Sequence, residues 1–127
     1  MGRPFKYRSS LERVYNRLSP IGVKIYTTSR PTAIKDGMSE FIIISIPTTI
    51  ADQTAFQESF LRIEIFVREK GGGVDPINRL DELQSSVMNL FPYSDELIHS
   101  YNMKLIPGGA DGVGFFFIRI QGKLLIK

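Results

Sequence analysis

The sequence predicts an α+β fold: an antiparallel sheet with a long central hairpin and two main helices packed on one face. Two β-branched and aromatic runs, Phe41–Ile46 and Phe60–Val67, flank a polar segment that can fold back on itself. Two other stretches repeat apolar residues at helical spacing between start and stop signals. The resulting order is helix, strand, hairpin, helix, then two or three strands.

Taken in order, residues 1–8 read as an arm in which Phe5 and Tyr7 alternate with Arg3, Lys6 and Arg8. A Ser-x-x-Glu capping box at Ser9 and Glu12 predicts the start of the first helix. Leu11, Val14, Tyr15 and Leu18 form its apolar stripe, and Pro20 with Gly22 stops it. Val23–Tyr26 alternates as a short strand. Arg30-Pro31 and Lys35-Asp36-Gly37 mark a loop before the hairpin.

In Phe60–Val67, Leu61, Ile63, Ile65 and Val67 share one face, while Phe60, Arg62, Glu64, Phe66 and Arg68 share the other. In Phe41–Ile46 both faces are apolar, so both need cover. Two helices leave part of that surface uncovered, which predicts a self-association surface. Its expected residues are Phe56, Phe60 and Phe66, with Arg62, Glu64 and Arg68 fixing register.

Gly71-Gly72-Gly73 predicts a mobile or tightly bent segment, and Asp75-Pro76 starts the second helix as cap and first helical residue. Ile77, Leu80, Leu83, Val87 and Leu90 define its stripe, and Phe91-Pro92 ends it. Ser94–Leu97 suits one further helical turn. Tyr101–Ile106 and Phe115–Ile120 read as strands joined by a glycine-rich connection from Pro107 to Gly114. Gln121-Gly122 reads as a turn or bulge before Lys123–Ile126.

A length of 127 residues with 43% hydrophobic side chains suits a single domain over residues 1–127. The lack of cysteine excludes disulfides, thiolate metal sites and cysteine nucleophiles. Met1–Lys6 leads into polar sequence, so no secretory signal is expected, and the apolar runs are too short to cross a membrane. Residues 1–30 hold seven basic side chains against one acid, although the whole chain carries only +3. A basic end of this kind suits nucleic acid or an acidic protein surface.

Catalytic signals are sparse. His99 is the only histidine, with no Gly-x-Ser-x-Gly, His-x-x-x-His or thiol to accompany it. The pairs Asp81-Glu82 and Asp95-Glu96 point about 100° apart on a helix and so do not converge on one substrate. Gly108–Gly114 lacks the Lys-Ser/Thr of a phosphate loop and leads into a strand. No enzymatic site, cofactor or metal is expected.

The first helix, the short Val23–Tyr26 strand with Arg30-Pro31, the long hairpin, the Asp75-Pro76 helix and the terminal strands together resemble the tail terminator (tail completion) proteins of long-tailed bacteriophages. The resemblance covers most of the chain in order and length and rests on architecture, without an invariant motif. A related head–tail joining protein has a similar build. The resemblance implies a non-enzymatic virion protein, made in the bacterial host cytoplasm, that forms a ring, usually a hexamer, on the tail tube. Its implied partners are its own copies, the tube and the neck or connector proteins, with the Phe41–Arg68 hairpin as ring-forming material. The competing expectation is a small nucleic-acid-binding module. There Phe5 and Tyr7 stack on bases beside Arg3, Lys6 and Arg8.

Overall fold

The computed structural model describes residues 6–27, 39–46, 51–52, 57–69 and 76–127. Helix α1 spans Tyr7–Leu18 and buries Leu11, Val14 and Leu18, whereas Tyr15 at the edge of the stripe stays exposed. The expected capping box does not form. The helix begins two residues before Ser9, and Lys6 at the cap position makes no side-chain cap bond. Glu12 accepts from the Arg8 Nε at 3.1 Å instead, an i,i+4 ion pair that occupies its carboxylate within the first turns. A short 3-10 turn over Ser19–Ile21 ends at Gly22, whose φ of 83° suits glycine and whose N–H donates to the Ser19 carbonyl.

Strands β1 (Lys24–Thr27), β2 (Glu40–Ser45), β3 (Ala51–Asp52) and β4 (Gln57–Arg68) follow, then helix α2 (Pro76–Met88) and strands β5 (Tyr93–Ser94), β6 (Ile98–Ala110) and β7 (Phe115–Ile126). They form one sheet in the order β1-β2-β4-β7-β6-β5, with β3 paired to β4 off that path. The α+β class holds. The sheet, however, is mixed, because β1 runs parallel to β2 while the other pairs are antiparallel. Alternation along a strand is the same for either direction, so the sequence pattern could not separate them.

Strand β4 pairs antiparallel with β2, Ile42 opposite Ile65 and Ile44 opposite Ile63, and along its whole length with β7. A main core gathers Leu11, Val14 and Leu18 of α1, Leu80, Leu83 and Val87 of α2, Ile42 and Ile44 of β2, Leu61, Ile63 and Ile65 of β4, and Ile120, Leu124 and Ile126 of β7. Arg79 on α2 forms a two-pronged ion pair with Glu40 at 2.7 and 2.8 Å, tying the helix to the start of β2.

The C-terminal strands depart most from expectation. Pro107–Ala110 is not a connection but the end of β6, and β7 passes through Gln121-Gly122 without a turn. The longest hairpin is therefore β6–β7, closed by residues 111–114. Ser94–Leu97 is likewise not helical. Ser94 ends β5, and the Asp95 carboxylate accepts the N–H groups of Leu97 and Ile98 in a tight turn.

Two register shifts curl this hairpin, one between Tyr101 and Lys104 and one between Pro107 and Gly109. At the first, Asn102 takes a φ of 58°, a left-handed conformation that asparagine tolerates. Gly122 lies beneath this bulge, where a Cβ would sit 2.2 Å from the Met103 sulfur and 2.8 Å from the Tyr101 carbonyl oxygen. Gly122→Ala is expected to lower the unfolding free energy by about 1–3 kcal/mol through overpacking. Gly109→Ala, where an added Cβ meets nothing within 4 Å, should stay within about 0.5 kcal/mol of wild type. Urea unfolding of both variants checks this, and equal midpoints would contradict the close approach at the bulge.

Candidate assembly surface

The second face of β2 and β4 is covered within a single chain at one end. Phe41 stacks on Phe66 at 4.7 Å, meets Phe115 edge-on at 5.1 Å, and receives the Tyr26 ring edge-on at 6.0 Å. Phe117 stacks on Phe66 from the other side at 5.5 Å. Phe41, Ile43, Phe66 and Phe115 are buried by this arrangement, a second small core. The need of the doubly apolar strand for cover is thus met here by aromatic side chains from β1 and β7.

That arrangement divides the expected interface residues. Phe66 is buried in the aromatic core, and Arg68 lies over the Phe115 ring at 4.8 Å. Glu64 forms an ion pair with Arg119 at 3.0 Å, and the Arg62 Nε points at the Gln121 side-chain oxygen at 3.4 Å, so both take part in cross-strand pairs. Only Phe60, at 39% exposure, stands open to solvent among the described members of the set. Phe56 lies outside the described residues.

Of the arm, Arg3 and Phe5 lie outside the described residues. Lys6 donates to the carbonyl of Lys127 at 2.9 Å, Tyr7 is exposed in the first turn of α1, and Arg8 is held by Glu12. His99 stacks on Tyr101 at 4.7 Å, and its Nδ1 has no hydrogen-bond partner among the described residues. No cluster of three or more potential metal ligands occurs among the described residues.

Further exposed apolar side chains among the described residues lie on the outer part of the β6–β7 hairpin. Leu105 and Ile106 are neighbours on β6 and so point to opposite faces, yet they are 45% and 40% exposed. On the α2 side, Leu105, Pro107, Phe116 and Ile118 join Ile77, 60% exposed, around a groove of about 340 Å³ with Asp81 and Gln84 at its edge. On the opposite side, Ile106 and Phe60 line a second cleft of about 370 Å³ together with Lys104 and Lys123. Ile77 belongs to the expected stripe of α2 but is largely exposed and lines this groove.

The outer edge of β6 is poorly suited to adding another strand. Among the described residues, β5 pairs only with His99 and Ser100. Beyond them come the Asn102 bulge, Lys104 and Pro107, three features that interrupt or repel edge pairing. What the hairpin offers to a partner is its two apolar faces. No motif announced this surface, since the pattern of Tyr101–Ile106 indicates a strand but not which of its side chains stay exposed. No protein-family model matches the chain, and no curated protein matches it.

A polar lock holds the base of the hairpin to α1. The Tyr93 hydroxyl donates to Asp95 at 2.8 Å, Arg13 bridges Asp95 and Glu96 at 3.2 and 2.8 Å, and Arg17 donates to the Leu90 carbonyl while lying over the Tyr93 ring. Burial alone would raise the Asp95 pKa. Hydrogen bonds from the Ile98 and Leu97 N–H groups, the Tyr93 hydroxyl and Arg13 outweigh it and bring the carboxyl from 3.8 down to about 2. A lowered folded-state pKa means that the stabilisation is complete above the unfolded value and is lost as pH falls toward the folded one. At neutral pH, Asp95→Asn should therefore lose about 2 kcal/mol, and its gap to wild type should narrow as pH falls from 3.8 to about 2. A gap that does not change over this interval in denaturant titrations would contradict the lock.

Proposed function

We propose that this chain is a non-enzymatic structural protein of a bacteriophage or prophage that assembles with its own copies into a ring at the end of the tail tube. The ring terminates tail assembly and joins the tube to neck or connector proteins, in the virion and, before that, in the bacterial host cytoplasm. The observation that carries the self-association is the β6–β7 hairpin, with apolar side chains exposed on both faces and an edge that disfavours strand addition. Apolar side chains exposed on both faces of one hairpin support reading it as an interaction surface. The order of elements seen in the sequence supplies the phage reading.

In this reading β2 and β4 act as the central hairpin and the two helices as one layer over it, a rigid body that the outer hairpin links to its neighbours. Charge pairs already made within the chain, such as Glu64 with Arg119, contribute to the body and not to the contact. Of the described residues of the basic arm, Lys6 donates to the Lys127 carbonyl and Arg8 pairs with Glu12, both at the surface.

Light scattering across a concentration series, with negative-stain images of the same samples, tests the proposal. Ring-shaped particles of one defined mass that shorten tubes when added to polymerising tail-tube protein are the expected result. A chain that stays monomeric and leaves tube length unchanged would overturn it.

A further inference from the structure

The two apolar surfaces of the hairpin differ in charge. The groove beside α2 carries Asp81, whereas the cleft on the other face carries Lys104 and Lys123. None of the three has an ion-pair partner among the described residues. Both surfaces have apolar centres, Ile77 and Leu105 in the groove, Phe60 and Ile106 in the cleft, with Leu105 also reaching the cleft lining.

These charges decide how two copies can meet. A two-fold contact of groove on groove brings both Asp81 carboxylates into one contact whose linings hold no basic residue, and cleft on cleft gathers four lysines where the linings hold no acid. Like charges brought together at an apolar contact are costly. Groove against cleft pairs opposite charges around a shared apolar centre. A two-fold contact is also self-complementary, whereas groove against cleft uses different surfaces of each copy and leaves one of each free for the next.

We propose that the groove of one copy takes the Phe60–Ile106 face of the next copy, Asp81 facing Lys104 and Lys123, so that the chains associate head to tail. This rests on the self-association reading above and adds to it which surfaces meet. Head-to-tail contacts close into a ring when the rotation between copies permits. Contact between the apolar centres supplies the attraction, and the charges select the pairing.

Charge reversal tests it with the full chain. Asp81→Lys gives a copy with lysine in the groove and lysines on the cleft, and Lys104→Glu with Lys123→Glu gives a copy with acid on both. Each variant alone should weaken association about tenfold or more. In an equimolar mixture every groove finds an opposite cleft, so the native mass by light scattering should return to the wild-type value. The circular dichroism spectrum should match wild type, and Lys104→Glu alone replaces the double variant if Lys123→Glu impairs folding.

A wild-type oligomer unmoved by either reversal, or a mixture that fails to recover, would overturn the head-to-tail pairing and leave self-association standing. A wild-type chain that remains monomeric overturns both.

Discussion

Strand β4 pairs with β7 at every residue from Gln57 to Arg68, and its other edge pairs with β2 from Arg62 to Val67. Held on both sides, β4 has a fixed register, and a slip of one residue would exchange its two faces. Leu61, Ile63 and Ile65 are thereby committed to the main core, where α1 and α2 bury their own apolar residues. Phe66 is committed to the aromatic core with Phe41 and Phe115. The rest of the molecule follows from what lies beyond this doubly paired strand. Strand β7 has its second edge left for β6, and β6 extends past its cover.

Much of this order is legible in the residues. Asp75-Pro76 marks the start of a helix that runs from Pro76, and Leu80, Leu83 and Val87 fall on its buried side as their spacing requires. Leu11, Val14 and Leu18 do the same for α1. Helical spacing identifies a face but not how far the opposing surface reaches, which is why Tyr15 and Ile77 share the stripes and remain exposed. Pro107-Gly108-Gly109 has the composition of a loop. It is strand because Phe117 lies directly over Gly108, where a Cβ would meet the Phe117 carbonyl oxygen at 2.3 Å. That contact joins residues from two strands and leaves no local trace.

The candidate surface was less legible for the same reason. Both faces of Phe41–Ile46 are apolar, but the side chains that cover the second one come from Tyr26, Phe115 and Phe117 on other strands. Strand pairing decides whether an aromatic residue covers its own chain or faces solvent. Phe60 and Phe66 lie on the same side of β4, yet Phe66 is opposite Phe117 and buried, while Phe60 is opposite Lys123 and open. Of the described residues expected along Phe60–Arg68 only Phe60 is exposed, and further exposed apolar side chains, Leu105 and Ile106, lie on β6.

A body with two cores carries one hairpin whose two faces hold apolar side chains and opposite charge, and the proposed assembly runs through that hairpin. A cryo-electron microscopy map of the assembled particle, at a resolution that traces the chain, tests this assignment most directly. The account places a neighbouring copy against Ile77 and Leu105 on one side and against Phe60 and Ile106 on the other. A map in which copies meet through α1 or the Tyr26–Phe41–Phe66 aromatic face, with the β6–β7 hairpin left in solvent, would contradict it.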